Sequence, residues 1–155
     1  MGALPQGALL ADASYLLGVA QSNAQASRFL SALPRTKVTA VNLGEVMYKL
    51  AERARRPPQQ VAGMFGAQGV TVAPFELTAA MHFADLKRID ALSRAEQERR
   101  GVERVKSLSL GDMCCLAHAL QHDLPVLTGD QHWSTLGAHG LTLQIFDFRD
   151  PALTL

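Results

Sequence analysis

The chain has two cysteines in 155 residues, and they are neighbours, Cys114 and Cys115. Adjacent residues on a helix project about 100° apart, which does not suit an ordinary structural disulfide. The fold must hold without covalent staples, and a reducing cytoplasm is the expected compartment. Net charge is small as well, with 15 Lys and Arg against 14 Asp and Glu, so the chain as a whole does not announce nucleic acid. The apolar stretch from Met1 to Ala20 lacks a basic n-region and is interrupted by Asp12, so it reads as a strand followed by a helix, and no membrane association is expected. No G-x-G-x-x-G follows the first strand and no G-x-x-x-x-G-K-[ST] occurs, which leaves dinucleotide and P-loop binding without support. The G-x-S-x-G of a nucleophile elbow is also missing. There is no internal repeat or low-complexity tract. With 48% apolar and 19% charged residues, positions 1–155 are expected to form a single globular domain.

What the chain does contain is concentrated in residues 107–133, SLSLGDMCCLAHALQHDLPVLTGDQHW. Met113, Leu116, Ala117, Leu120 and Leu124 recur at a helical period, and Ser109 with Asp112 reads as a capping box in front of them. Pro125 stops helical pairing, and Val126, Leu127 and Thr128 form a short buried strand that ends at Gly129 and Asp130. An acid at a strand end of an open parallel sheet points into the crevice where ligands bind. Asp130 equally suits the N-cap of a short helix carrying Trp133, and the two readings stand even.

The rest of the chain repeats the theme. Leu9, Leu10 and Ala11 form a strand ending in Asp12, followed by a helix from Ala13 through Val19. Ser22 is expected to cap a second helix that Pro34 ends, and Lys37 to Val41 is a β-branched strand. Asn42 then caps a helix, with Glu45 at its third position in a near capping box. A helix from Pro57 to Phe65, a strand over 69–73, a helical segment over 75–92 and a polar helical excursion over 93–106 lead to the organising stretch, and 141–146 supplies a last strand. Strands alternating with helices predict an α/β domain with a mostly parallel sheet.

Asp12, Glu45, Asp112 and Asp130 each have a local explanation as helix-start residues. All four also fall at the same edge of such a sheet. Carboxylates converging there would repel, and some would stay protonated unless a cation joined them. Oxygen donors without a compact Cys/His set indicate Mg²⁺ or Mn²⁺, and a carboxylate-bound divalent pair suits in-line attack of water on a phosphodiester.

The stretches ADAS at 11–14, VNLGEVMYKLA at 41–51, the PPQQ turn with its following helix at 57–65, SLGDMCCLAHA at 109–119 and LPVLTGDQHW at 124–133 together resemble a PIN-domain ribonuclease, most of all the toxin component of VapBC-type toxin–antitoxin systems. The LSLGD and LTGDxxW segments are the specific ones. The resemblance implies a three-layer α/β/α sandwich that commonly dimerises, with Asp12, Glu45, Asp112 and Asp130 as metal-binding acids and Thr128 as an auxiliary hydroxyl. Ser14 and Asn42 neighbour that site in sequence, where they could orient a carboxylate or simply cap. The expected activity is Mg²⁺- or Mn²⁺-dependent hydrolysis of RNA, held in check by a small antitoxin. The alternative is a PIN-like module that binds protein or RNA without catalysis. Met113 departs from the pattern, because such toxins often carry Arg after the GD pair.

Two surfaces follow. Between 87 and 106 seven basic residues stand against four acidic ones, and Arg99, Arg100, Arg104 and Lys106 are candidate phosphate contacts, although a solvated helix face is the commoner meaning of such a run. Helices over 42–54 and 57–65 are expected to form a clip presenting Met47, Leu50, Met64 and Phe65 to an antitoxin. Cys114, His118 and His122 share helical spacing, but no second cluster would close a zinc site around them.

Overall fold

The computed structural model describes residues 3–33 and 35–155. Five parallel strands form one sheet: β1 (Leu9–Ala11), β2 (Thr36–Thr39), β3 (Thr71–Ala73), β4 (Val126–Thr128) and β5 (Ile145–Asp147), in the order β3-β2-β1-β4-β5. The central strands β1 and β4 are buried on both faces and β2 nearly so, as parallel sheets require, while the edge strand β3 is largely exposed. Side chains alternate between two cores with the period of two that a strand imposes. Leu9, Ala11, Val38 and Leu127 enter one core, and Leu10 and Val126 enter the other.

The first core is closed by α1 (Ala13–Ala20), α2 (Ala24–Ala32), α3 (Ala40–Ala54) and α4 (Pro58–Ala67), through Tyr15, Phe29, Val46, Leu50 and Phe65. The second is closed by α5 (Leu77–Ala80), α6 (Phe83–Arg99), α7 (Leu110–His122) and α8 (His132–Thr135), through Ala79, Leu86, Leu116 and Trp133. This is the expected three-layer α/β/α sandwich. No helix among the described residues is long and apolar enough to cross a membrane.

Several local expectations are corrected. Asn23, not Ser22, caps α2, its side chain accepting from Ala26 N–H. Pro34, expected to end that helix, lies outside the described residues. The β-branched run 37–41 is strand only as far as Thr39, because the Thr39 hydroxyl caps α3 by accepting from Asn42 N–H and Ala40 is already helical. Asn42 is therefore the third residue of α3 rather than its cap. Glu45 lies a turn deeper, where no capping box needs it. The segment 93–106 is helical only to Arg99, and the last strand is Ile145–Asp147 instead of 141–146. α7 ends at Asp123, which adopts a left-handed C-cap conformation (φ 50°) two residues before Pro125.

Candidate active site

Sheet topology brings the first two acids together. β1 has β2 on one side and β4 on the other, so the direction of sheet growth switches between β1 and β4. The crevice beyond the carboxyl ends of strands at such a switch point is where open parallel sheets bind ligands. Asp12 follows β1 directly, and Asp130 follows β4 after Gly129.

Asp12 is 4% exposed. Its carboxylate caps α1 by accepting from Tyr15 N–H at 2.9 Å, and it also accepts from Thr128 Oγ1 at 2.7 Å and from Ser14 Oγ at 2.7 and 2.8 Å. Ser14 Oγ in turn accepts from Gly129 N–H at 2.8 Å. Thr128 Oγ1 accepts from Asp130 N–H at 3.0 Å. One network thus joins the end of β1 to the end of β4, with both hydroxyls passing their protons toward Asp12. Burial pushes the Asp12 carboxyl up to about 6 against the pull of these hydrogen bonds, and the negative charge of Asp112 adds to the rise.

Asp112 sits in the capping box read from the sequence: Ser109 Oγ accepts from Asp112 N–H at 3.1 Å, and Asp112 Oδ2 accepts from Ser109 N–H at 2.7 Å. Its carboxyl is also raised, first by burial and then by the charges of Glu45 and Asp130, while the Ser109 bonds oppose the shift. Glu45 reaches over the first turn of α7, where a Cβ on Gly111 would lie 3.0 Å from Glu45 Oε2. Its other oxygen pairs with Lys49. Asn42, fully buried, donates to the Gly111 carbonyl at 3.1 Å and accepts from the Thr39 hydroxyl, so it locks α3 to the start of α7. Asp130 Oδ1 accepts from His132 N–H at 3.0 Å, so the residue does local turn work as well as standing at the crevice.

Asp112 is thus coupled electrostatically to each of the other three acids. Among the described residues no three His, Cys, Asp or Glu groups already converge as a metal site; Asp112, Glu45 and Asp130 each face a local partner. The donor chemistry nevertheless fits a hard divalent cation: every candidate ligand is a carboxylate, and burial drives two of them toward protonation, the condition a cation relieves.

Beside Asp130 a cleft of about 680 Å³ opens between the end of α6 and the 129–132 turn. Arg100 and Lys106 line it. Arg99, grouped with them on sequence, instead donates twice to Glu96, at 2.9 and 2.7 Å, and Arg104 is exposed to solvent outside the lining. Arg149, which sequence reading passed over, lines the opposite wall. The signal for it was its position just past the last strand, at the same sheet edge as Asp130.

The expected apolar clip is corrected. Leu50 (3% exposed) and Phe65 (1%) are core residues, and Met47 and Met64 pack half-buried against them. Amphipathic spacing identified the faces correctly, but those faces point inward. On α3 the exposed apolar side chains are Val41 and Tyr48. His118 is buried and its ring lies 4.4 Å from that of His122. Trp133 fills the second core.

Comparison with known proteins gives a family model described as the PIN domain, matching residues 9–138. No curated protein shows significant similarity. Among solved structures the fold is similar to VapBC2 from Rickettsia felis bound to a promoter DNA fragment (12% identity, 91% of this chain and 98% of that chain, TM-score 0.66). It is likewise similar to DNA-bound VapBC from Salmonella typhimurium (19%, 91% and 98%, 0.61). A third is VapC20 from Mycobacterium tuberculosis, described as a toxin that cleaves the sarcin-ricin loop (15%, 87% and 97%, 0.56).

Proposed function

Because the chain belongs to the PIN domain family, we propose that it is a divalent-metal-dependent endoribonuclease, the toxin half of a VapBC-type pair. The observation that supports this reading is the buried Asp12 at the sheet's switch point, its carboxyl raised to about 6, with Asp112 coupled electrostatically to it and to Glu45 and Asp130. A purely structural set of caps has no use for a buried acid that resists ionisation. The solved structures of similar fold support the same direction, since their descriptions name toxin–antitoxin complexes and one RNA-loop-cleaving toxin.

In this reading Asp12, Asp112 and Asp130 would be the direct ligands of Mg²⁺ or Mn²⁺, and Glu45 would be a ligand or the orienter of a water. When bound, the cation would supply Lewis-acid activation of water and relief of phosphate charge. The chain's own contribution is preorganisation. Thr128 and Ser14 fix the Asp12 carboxylate through donated hydrogen bonds. Asn42 keeps the first turn of α7, and with it Asp112, against α3.

Control by an antitoxin belongs to the same proposal. Val41 and Leu110 are exposed and flank the Asn42–Gly111 hydrogen bond, and Tyr48 is exposed further along α3; an apolar antitoxin segment laid there would cover Glu45. Sedimentation of the chain alone and with the product of the adjacent gene tests both the homodimer and the complex. The decisive assay for activity is cleavage of total RNA with Mn²⁺ or Mg²⁺, with and without EDTA. Metal-dependent cutting that Asp112→Asn and Asp130→Asn abolish is expected. Cutting at wild-type rates by both variants refutes the assignment, and RNA binding without any cutting favours a non-catalytic module.

A further inference from the structure

The cleft beside Asp130 is lined by three cations, Arg100, Lys106 and Arg149, and by one acid of the candidate site, Asp130 itself. Arg100 and Lys106 lie at the α6 end, where the backbone of Lys106 is tied to α6: Gln97 donates to the Lys106 carbonyl at 3.0 Å and accepts from its backbone N–H at 2.7 Å. Arg149 lies beside Gly129. Its backbone N–H donates to Asp147 Oδ1 at 2.8 Å, its guanidinium lies 5.3 Å from the centre of the Phe148 ring, and it occupies the space a side chain at Gly129 would fill, 3.2 Å from that Cβ position. Among the described residues none of these three cations has a carboxylate within 4.0 Å. Glu96, the acid on the α6 wall, is satisfied by Arg99.

Cations without carboxylate partners, lining a cleft that reaches Asp130, are a grip for a polyanion whose next phosphate lies at that acid. We propose that this cleft is the channel for single-stranded RNA leading away from the cut, with Arg149, Arg100 and Lys106 as its phosphate contacts. The assignment rests on the nuclease reading above. A cavity of about 680 Å³ is in the range of pockets that enclose a ligand of nucleotide size. Its lining contains no Phe, Tyr or Trp on which bases would stack, so affinity should be carried by phosphates and be strongly salt-dependent.

The test is fluorescence anisotropy of a labelled single-stranded RNA in EDTA, across a salt series, with the full chain. Arg149→Gln should weaken binding about tenfold and flatten the log–log salt slope by about 0.7, the share of one phosphate contact on a single strand. Arg149→Lys should restore the slope, and Arg100→Gln with Lys106→Gln should remove about two such shares. Arg28→Gln, on α2 and outside the cleft, is the control and should change neither. An unaltered slope for Arg149→Gln, an equal loss for Arg28→Gln, equal affinity for duplex RNA, or no measurable binding by wild type overturns the channel. Cleavage of the same RNA in Mn²⁺ is scored separately. Binding with the expected variant pattern but no cutting refutes the nuclease reading and keeps the channel; cutting to which Arg149→Gln is indifferent does the reverse.

Discussion

Replacing Asp12 by Asn tests the site through stability alone, without substrate. Asn retains an acceptor for the Tyr15 N–H and can donate to Thr128, so the cap on α1 survives while the charge is removed. In the folded protein burial raises Asp12 from 3.8 to about 6. A carboxyl whose folded pKa lies above its unfolded value favours folding most when protonated, and the advantage is lost as pH rises through the folded pKa. The wild-type chain in EDTA should therefore lose stability between about pH 4 and pH 6, by about 3 kcal/mol from this residue. The Asn variant should not show this share of the loss. Asp112, shifted in the same direction by burial, adds to the general trend in both proteins and cancels in the comparison. For a chain of this length the variant's melting temperature relative to wild type should increase by roughly 6–12 °C on going from pH 4 to pH 7. Thermal melts followed by circular dichroism at the two pH values, in EDTA, measure it. A difference between the two proteins that stays constant with pH would show that Asp12 carries no ionisation strain, and the argument for a cation at this edge would lose its physical basis.

Other outcomes follow from particular contacts. Thr128→Val keeps the shape of a fully buried side chain but removes the hydroxyl that serves Asp12 and Asp130 together; it should cost about 1–3 kcal/mol in urea melts, and a neutral result would mean the network is slack. Gly111→Ala places a Cβ 3.0 Å from Glu45 Oε2, so RNA cleavage should fall at least tenfold while the melting temperature changes by only a few degrees; cleavage at the wild-type rate would remove Glu45 from the site. Gly129→Ala brings a Cβ to 2.5 Å from the Phe148 ring, an overpacking expected to cost about 1–3 kcal/mol and read as a lower urea midpoint. Phe65→Asp puts a charge into the first core and should leave the chain largely unfolded by circular dichroism, whereas a well-folded variant defective only in antitoxin binding would restore the clip.

The parts of this fold that were legible in the sequence are those with short-range causes. The capping box of Ser109 and Asp112, the apolar strands β1 and β4 and the acids that end them are each written in a handful of consecutive residues. The start of α3 was misread because Val and Thr in 37–41 favour strand, while the cap was the Thr39 hydroxyl inside that same run. The error had a consequence for function, since it offered Glu45 a capping role that its real position does not need. The approach of Glu45 to Gly111, anchored by an Asn42–Gly111 bond between residues 69 positions apart, has no local signature. The same holds for Arg149, placed by the packing of Phe148 against Gly129. Periodicity marked Leu50 and Phe65 as apolar-face residues but could not say whether the face met the sheet or a partner.

Direct titration of Mn²⁺ binding, by loss of the free-ion paramagnetic signal, addresses the central claim most closely, because it asks whether the four acids act as one centre. Wild type should take up Mn²⁺ saturably, Asp12→Asn, Asp112→Asn and Asp130→Asn should each weaken uptake at least tenfold, and Asp147→Asn, an acid at the same sheet edge that is assigned no ligand role, should leave it unchanged. Wild-type protein that removes no more Mn²⁺ than buffer, or the same affinity in all four variants, would contradict a shared carboxylate centre and leave Asp12 and Asp112 to helix capping and Asp130 to its turn.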